Sequence, residues 1–140
     1  MDWIYQGKPI AEAPSSFGFI YLITQISTQK KYIGRKNLKC VRTKKKKGRR
    51  NQKVTKESDW KNYWSSSDAV KNLVRKFGED DFRREILFFC ATKGELTYGE
   101  VREQISRDVL CVRMKNGERE YLNGNIMSRW FAKTEKAEQP

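Results

Sequence analysis

Between Phe17 and Leu38 the chain reads FGFIYLITQISTQKKYIGRKNL, two short apolar runs joined by a polar link. β-Branched and aromatic side chains favour a pleated sheet, so the first run predicts a strand from about Phe19 to Ile26. KYIGR returns as a second strand, and STQK is too short for a parallel crossover, so the pair is antiparallel. Side chains alternate along a strand, which puts Tyr21 on one face with Phe19 and Ile23, and Tyr32 on one face with Gly34. The two tyrosines are eleven positions apart across a turn centred near Ile26 to Thr28. That register sets them nearly opposite, with Cβ atoms about 5 Å apart. Gly34 then removes bulk beside Tyr32, where a backbone or a phosphate could approach. The plain alternative is an ordinary cross-strand aromatic pair with a bulge glycine.

The remainder of the chain supplies helices and a large positive charge. Trp3, Tyr5 and Gly7 suggest a small hairpin or edge piece within residues 1–16. A helix is expected from about Asp68, with Val70, Leu73, Val74 and Phe77 at helical spacing and Gly78 as its stop. Phe82 to Ala91 reads as a third strand. Thr92 and Glu95 have capping-box spacing for a second helix, whose apolar stripe would be Tyr98, Val101, Ile105 and Val109. A short strand-like piece near Cys111 to Met114 and the segment YLNGNIMSRWF close the domain, and residues 132–140 read as a frayed tail. The expectation is one small α+β domain over 17–131, a three-stranded antiparallel sheet flanked by helices.

From Arg42 to Lys56, nine of fifteen residues are basic. Such a run repels itself, so 42–57 is expected to be a mobile basic loop. The net charge of +13 over 140 residues suits a polyanionic partner, and nucleic acid is the commonest. Lysines and arginines there (Lys44, Lys45, Lys46, Lys47, Arg49, Arg50) would release counterions from a duplex, with Arg35 and Lys36 at the strand end adding phosphate contacts. Contacts of this kind carry affinity rather than sequence information. A solvated loop that only keeps the protein soluble is the alternative.

The chain has no histidine and three widely spaced cysteines, Cys40, Cys90 and Cys111. This argues against a zinc site and against imidazole as a base, and the thiols read as reduced and partly core. Chemistry must therefore use Tyr, Lys, Arg and carboxylates. No apolar run approaches the roughly 18 residues of a membrane span. The first ten residues lack a signal-peptide pattern, so a cytoplasmic location is expected. Trp60, Tyr63 and Trp64, beside Ser65 to Ser67, read as core, with a groove wall as the other option.

FIY at Phe19 to Tyr21, YIG at Tyr32 to Gly34, and Arg42 eight residues later together resemble the core of the GIY-YIG endonucleases. The stretch ESDWKNYWSSSDAVKNLVRKFGEDDFRREILFFCATKGELTYGEV is similar to the corresponding part of phage-encoded, freestanding members. DWIYQGKPI before it and YLNGNI after it extend the likeness over roughly residues 2 to 131. The resemblance implies water attack on a DNA phosphodiester, helped by one Mg²⁺ or Mn²⁺ and no small-molecule cofactor. It gives Tyr21 the proton of the attacking water, Tyr32 a hydrogen bond to that water or to Tyr21, and Arg42 the scissile phosphate. Glu100, in LTYGEV, would hold the metal, with Glu103 as the fallback. Asn125, in NGNI, would support the phosphate, and Asn123 stands close enough to be confused with it.

Two positions depart from the family pattern. Phe19 stands where the family name has glycine, and the segment near Lys46 lacks the histidine that many relatives place there. The implied partner is double-stranded DNA, in a bacterial host cytoplasm if the chain is phage-encoded, and a double-strand break would need a transient homodimer or two visits, since one chain holds one catalytic set. An RNA-directed nuclease stays open. The rival from another class is a non-catalytic basic nucleic-acid-binding protein, which would need the basic residues but not Tyr21, Tyr32, Arg42 and Glu100 together.

Overall fold

The computed structural model describes residues 2–45, 47, 48 and 50–133, and of residues 41, 42, 44 and 52–54 it describes the backbone alone. The two runs of the opening stretch form β3 (Gly18–Gln25) and β4 (Lys31–Asn37), paired antiparallel as expected. The third expected strand, β7 (Phe82–Cys90), pairs antiparallel with the other side of β3. The sheet is larger than three strands, however. The N-terminal residues form a hairpin, β1 (Trp3–Tyr5) and β2 (Lys8–Ile10), and β1 joins β7 in parallel, giving the order β2-β1-β7-β3-β4. Trp3 explains the docking: its ring is 1% exposed and its indole N–H donates to the Trp60 carbonyl at 2.7 Å. The Arg84 guanidinium lies 4.7 Å above it. Burying so large a ring repays the ordering of a three-residue strand.

The stretch expected as a mobile loop is a second correction. Most of it pairs as an antiparallel ribbon, β5 (Lys39–Lys44) with β6 (Gln52–Glu57). Backbone hydrogen bonding does not need a core, and β-branched Val41, Thr43, Val54 and Thr55 punctuate the basic residues. Arg42, Lys44, Lys53 and Lys56 therefore sit on paired strands, and Lys45, Lys47 and Arg50 on the connection between them.

One helix covers each face of the sheet. α1 (Asp68–Phe77) is capped by Ser67, whose hydroxyl accepts from the Val70 N–H, and ends at Gly78 with φ 87°. It packs with Val70, Leu73 and Val74 over Trp3, Phe19, Tyr21, Trp60 and Phe82; Phe77 is exposed. α2 (Lys93–Ser106) starts where the sequence says, with the Thr92 side chain accepting from the Glu95 N–H. Its stripe is not the expected one. Tyr98 and Ile105 are exposed, and the helix buries Leu96, Gly99 and Gln104 instead. A Cβ at Gly99 would come within 2.9 Å of the Phe88 ring, so the helix meets the sheet on its least bulky face. Val109 is buried but lies beyond the helix end.

Near Cys111 to Met114 there is a single bridge, Arg113 to Arg119, rather than a strand. A final hairpin, β8 (Asn125–Ile126) with β9 (Trp130–Phe131), follows. Of the tail, 134–140 lie outside the described residues. Cys40, Cys90 and Cys111 are all free thiols.

β4 is an edge strand, and the chain covers that edge. The Lys31 N–H donates to the Glu120 carbonyl, and the Leu122 N–H donates to the Lys31 carbonyl. Asn123 closes the next position with both ends of its amide: Oδ1 accepts from the Ile33 N–H at 3.1 Å and Nδ2 donates to the Ile33 carbonyl at 2.8 Å. Pairing the free edge removes a template for association. This cover stops at Ile33, one residue short of Gly34.

Candidate active site

Where the cover ends, a pocket of about 650 Å³ opens, lined by Tyr21, Tyr32, Gly34, Arg35, Glu100, Gln104 and Asn125 among others. Tyr21 reaches it from β3. The register pairs Tyr21 with Gly34 and Ile23 with Tyr32, so the two tyrosines are diagonal neighbours rather than opposite. Their ring centroids are 6.3 Å apart, with planes tilted by 31°. The reason is the loop: Gln25 bonds Lys30, leaving a four-residue turn centred one half-step later than expected, with Gln29 at φ 63°.

Gly34 serves Tyr21 and not Tyr32, because a Cβ there would fall on the Tyr21 phenol oxygen. The phenol thus crosses the neighbouring strand to the pocket. On its other side β3 meets a bulge in β7, where Leu87 is the extra residue opposite the step from Ile20 to Tyr21.

Tyr21 is 1% exposed and wedged edge-on against Trp3 and Tyr63. Burial pushes its hydroxyl pKa well up, the neighbouring phenols Tyr63 and Tyr32 act the same way, and Ser65 opposes them by hydrogen bonding. Tyr32 is also raised, chiefly by burial. Both phenols are therefore neutral in the free protein near neutral pH. Ser65 itself is buried and holds φ 91°, a costly conformation for a residue with a side chain. Its hydroxyl accepts from the Ser67 N–H, which fixes the turn into α1 beside both phenols.

Glu100 enters from α2. Its side chain is 20% exposed, and burial raises its pKa against the lowering effect of Arg35. Glu103, the fallback, lies one turn on, pairs with Arg107 and Arg102, and does not line the pocket. Both asparagines line the pocket, and they differ in burial and partners. Asn123 is the edge clasp of β4, 2% exposed, whereas Asn125 is exposed at the pocket wall with Oδ1 accepting from the Ser128 N–H.

Not every expected residue converges here. The Arg42 backbone lies on β5, and the Arg42 and Lys44 side chains lie outside the described residues, as do Lys46 and Arg49. Lys45, Lys47 and Arg50 are exposed on the ribbon's connection. Lys36 is a strut: its ammonium sits 2.6 Å from Asp59 and 4.2 Å over the Tyr63 ring, with its side chain 16% exposed. Trp60 is core, as read, while Tyr63 and Trp64 are half-buried around it.

Sequence reading missed Gln104, one helical turn beyond Glu100 and on the same pocket wall. The i, i+4 spacing was its only signal. It also missed Ser66 and Ser67, through which the amino end of α1 faces the pocket.

A family model described as "Putative endonuclease segE, GIY-YIG domain" matches residues 3–126. The chain belongs to this GIY-YIG endonuclease family, and within that class the segE type is the one matched. No curated protein and no solved structure matches it. Among the described residues no helix is long and apolar enough to cross a membrane.

Proposed function

We propose that this chain is a metal-dependent DNA endonuclease that hydrolyses a phosphodiester by water attack. The observation that carries the reading is the convergence of Tyr21, Tyr32 and Glu100, from three separate elements, on one pocket. An ordinary cross-strand tyrosine pair would not need a glycine placed to let the phenol through.

The donor set suits a hard divalent cation. Among the described residues no three His, Cys, Asp or Glu side chains gather. The pocket offers one carboxylate, Glu100, with the amides of Gln104, Asn123 and Asn125. Mg²⁺ commonly binds through one or two carboxylates and keeps several waters. When bound, such a cation supplies Lewis-acid stabilisation of the phosphate charge and a more acidic water.

The protein's own groups do the rest. Tyr21 would orient the attacking water through its phenol oxygen and, in its phenolate form, would take the water's proton. Tyr32, one diagonal step away, holds that water or the Tyr21 oxygen in line. Arg42 is assigned the scissile phosphate, whose charge grows in the transition state. The amino end of α1 adds partial positive charge at the pocket. The exposed cations of the ribbon hold duplex DNA without reading sequence.

Plasmid nicking decides the matter. Supercoiled DNA incubated with pure protein should be cut with millimolar Mg²⁺ and left intact with EDTA. Equal cutting in EDTA would refute the metal-dependent mechanism. Tight binding with no cutting of any nucleic acid would favour a basic binding protein instead.

A further inference from the structure

Glu100 is paired with one residue of β4. The Arg35 guanidinium Nε lies 3.6 Å from Glu100 Oε1. Both residues line the pocket. The guanidinium also donates from Nη1 to Thr97 Oγ1 at 2.7 Å, which parks it along α2. A contact of 3.6 Å through Nε is a charge contact, looser than the two-pronged fork that guanidinium makes with a carboxylate or phosphate. At 43% exposure the Arg35 side chain has room to leave.

We infer that Arg35 is a counterion gate on Glu100, so that loading of a divalent cation is coupled to the arrival of a DNA phosphate. This rests on the reading of Glu100 as the metal carboxylate. In the free protein Arg35 neutralises Glu100 and occupies the approach a cation would take. A cation entering then meets a like charge a few ångströms away. A phosphate offers Arg35 a better bidentate partner than this half-buried carboxylate does. Once Arg35 swings onto it, Glu100 is released as a ligand. Linkage makes the effect reciprocal, since whatever DNA does for metal affinity, metal does for DNA affinity. The bland alternative is that Arg35 only ties β4 to the first turns of α2 through Thr97 and Glu100.

The test is Mn²⁺ binding to the DNA-free protein, followed by the loss of the aquo-ion's electron paramagnetic resonance signal. It is run at low ionic strength and mildly alkaline pH, where the carboxylate is ionised in every variant. Parent, Arg35→Ala, Glu100→Gln and the double variant are compared after each shows a cooperative thermal transition. Arg35→Ala should bind Mn²⁺ at least about fivefold tighter than the parent, the low end of usual coupling factors. The gain should disappear in the double variant.

If Glu100→Gln weakens Mn²⁺ binding but Arg35→Ala leaves it unchanged, Arg35 is a tether and the gate is overturned, with the metal carboxylate intact. If Glu100→Gln changes nothing in either background, the assignment of Glu100 itself fails. Should Arg35→Ala not fold, Arg35→Gln keeps an N–H donor toward Thr97 without the charge and decides by the same criterion.

Discussion

Gly34→Ala is the residue-scale test of how the site is built. The added methyl would clash with the Tyr21 phenol oxygen, so either the ring or the edge strand must move. Overpacking of this sort costs about 1–3 kcal/mol, measurable by thermal unfolding, and the displaced hydroxyl should cost more in cleavage than in stability. A variant cutting at the parental rate would show that the position of the Tyr21 oxygen is immaterial. The raised pKa of Tyr21 makes a second prediction. Below that pKa the phenolate fraction grows tenfold per pH unit, so if Tyr21 takes a proton the single-turnover rate should climb with pH. A log-rate slope near 1 between about pH 7 and 9 is expected, with Tyr21→Phe losing that slope. A flat profile in the parent would reduce Tyr21 to a positioning group. At this scale the tyrosines were legible because a strand alternates, and Glu100 was legible only through family spacing. Gln104 and the division of labour between Asn123 and Asn125 were not, since both depend on where the segment after α2 lies against β4.

Among the elements, helix starts and strand positions were legible from local chemistry, namely the Thr92 cap, the Gly78 stop and the aromatic, β-branched runs. Illegible were the features set by distant partners. The parallel pairing of β1 with β7 joins residues some eighty positions apart, and nothing in WIYQ announces it. The stripe of α2 misled because its sheet-facing side is marked by Gly99 rather than by bulk. The β5–β6 ribbon misled because its charge implied disorder while its β-branched residues satisfied a ladder. The ribbon carries its own prediction. Replacing Lys45, Lys47 and Arg50 with serine should weaken binding to all duplexes alike. The salt slope should fall by roughly 0.9 for each phosphate no longer neutralised, as read by anisotropy titrations at several salt concentrations. Cleavage at low salt and saturating protein should survive. Abolished cutting with binding intact would place a catalytic group on the ribbon.

Across the whole molecule, the chain carries a surplus of 13 positive charges, whereas in the pocket Glu100 is the one carboxylate among the described residues. That contrast separates affinity from chemistry. Removing Glu100 takes a negative charge away from a polyanion's path, so binding should hold or improve as catalysis is lost. One chain carries one such site, so a double-strand break requires two copies or two visits. The most direct measurement is single-turnover cleavage of a labelled duplex by Glu100→Ala and Tyr21→Phe, with dissociation constants measured on the same preparations. Both variants should unfold at the parental temperature and bind within a few-fold of the parent. Each should cut at least about a hundredfold slower, the scale on which one preorganised catalytic group is lost. Parental cleavage rates in both folded variants would mean that Tyr21 and Tyr32 are only packing, and that this pocket is not where the strand is cut.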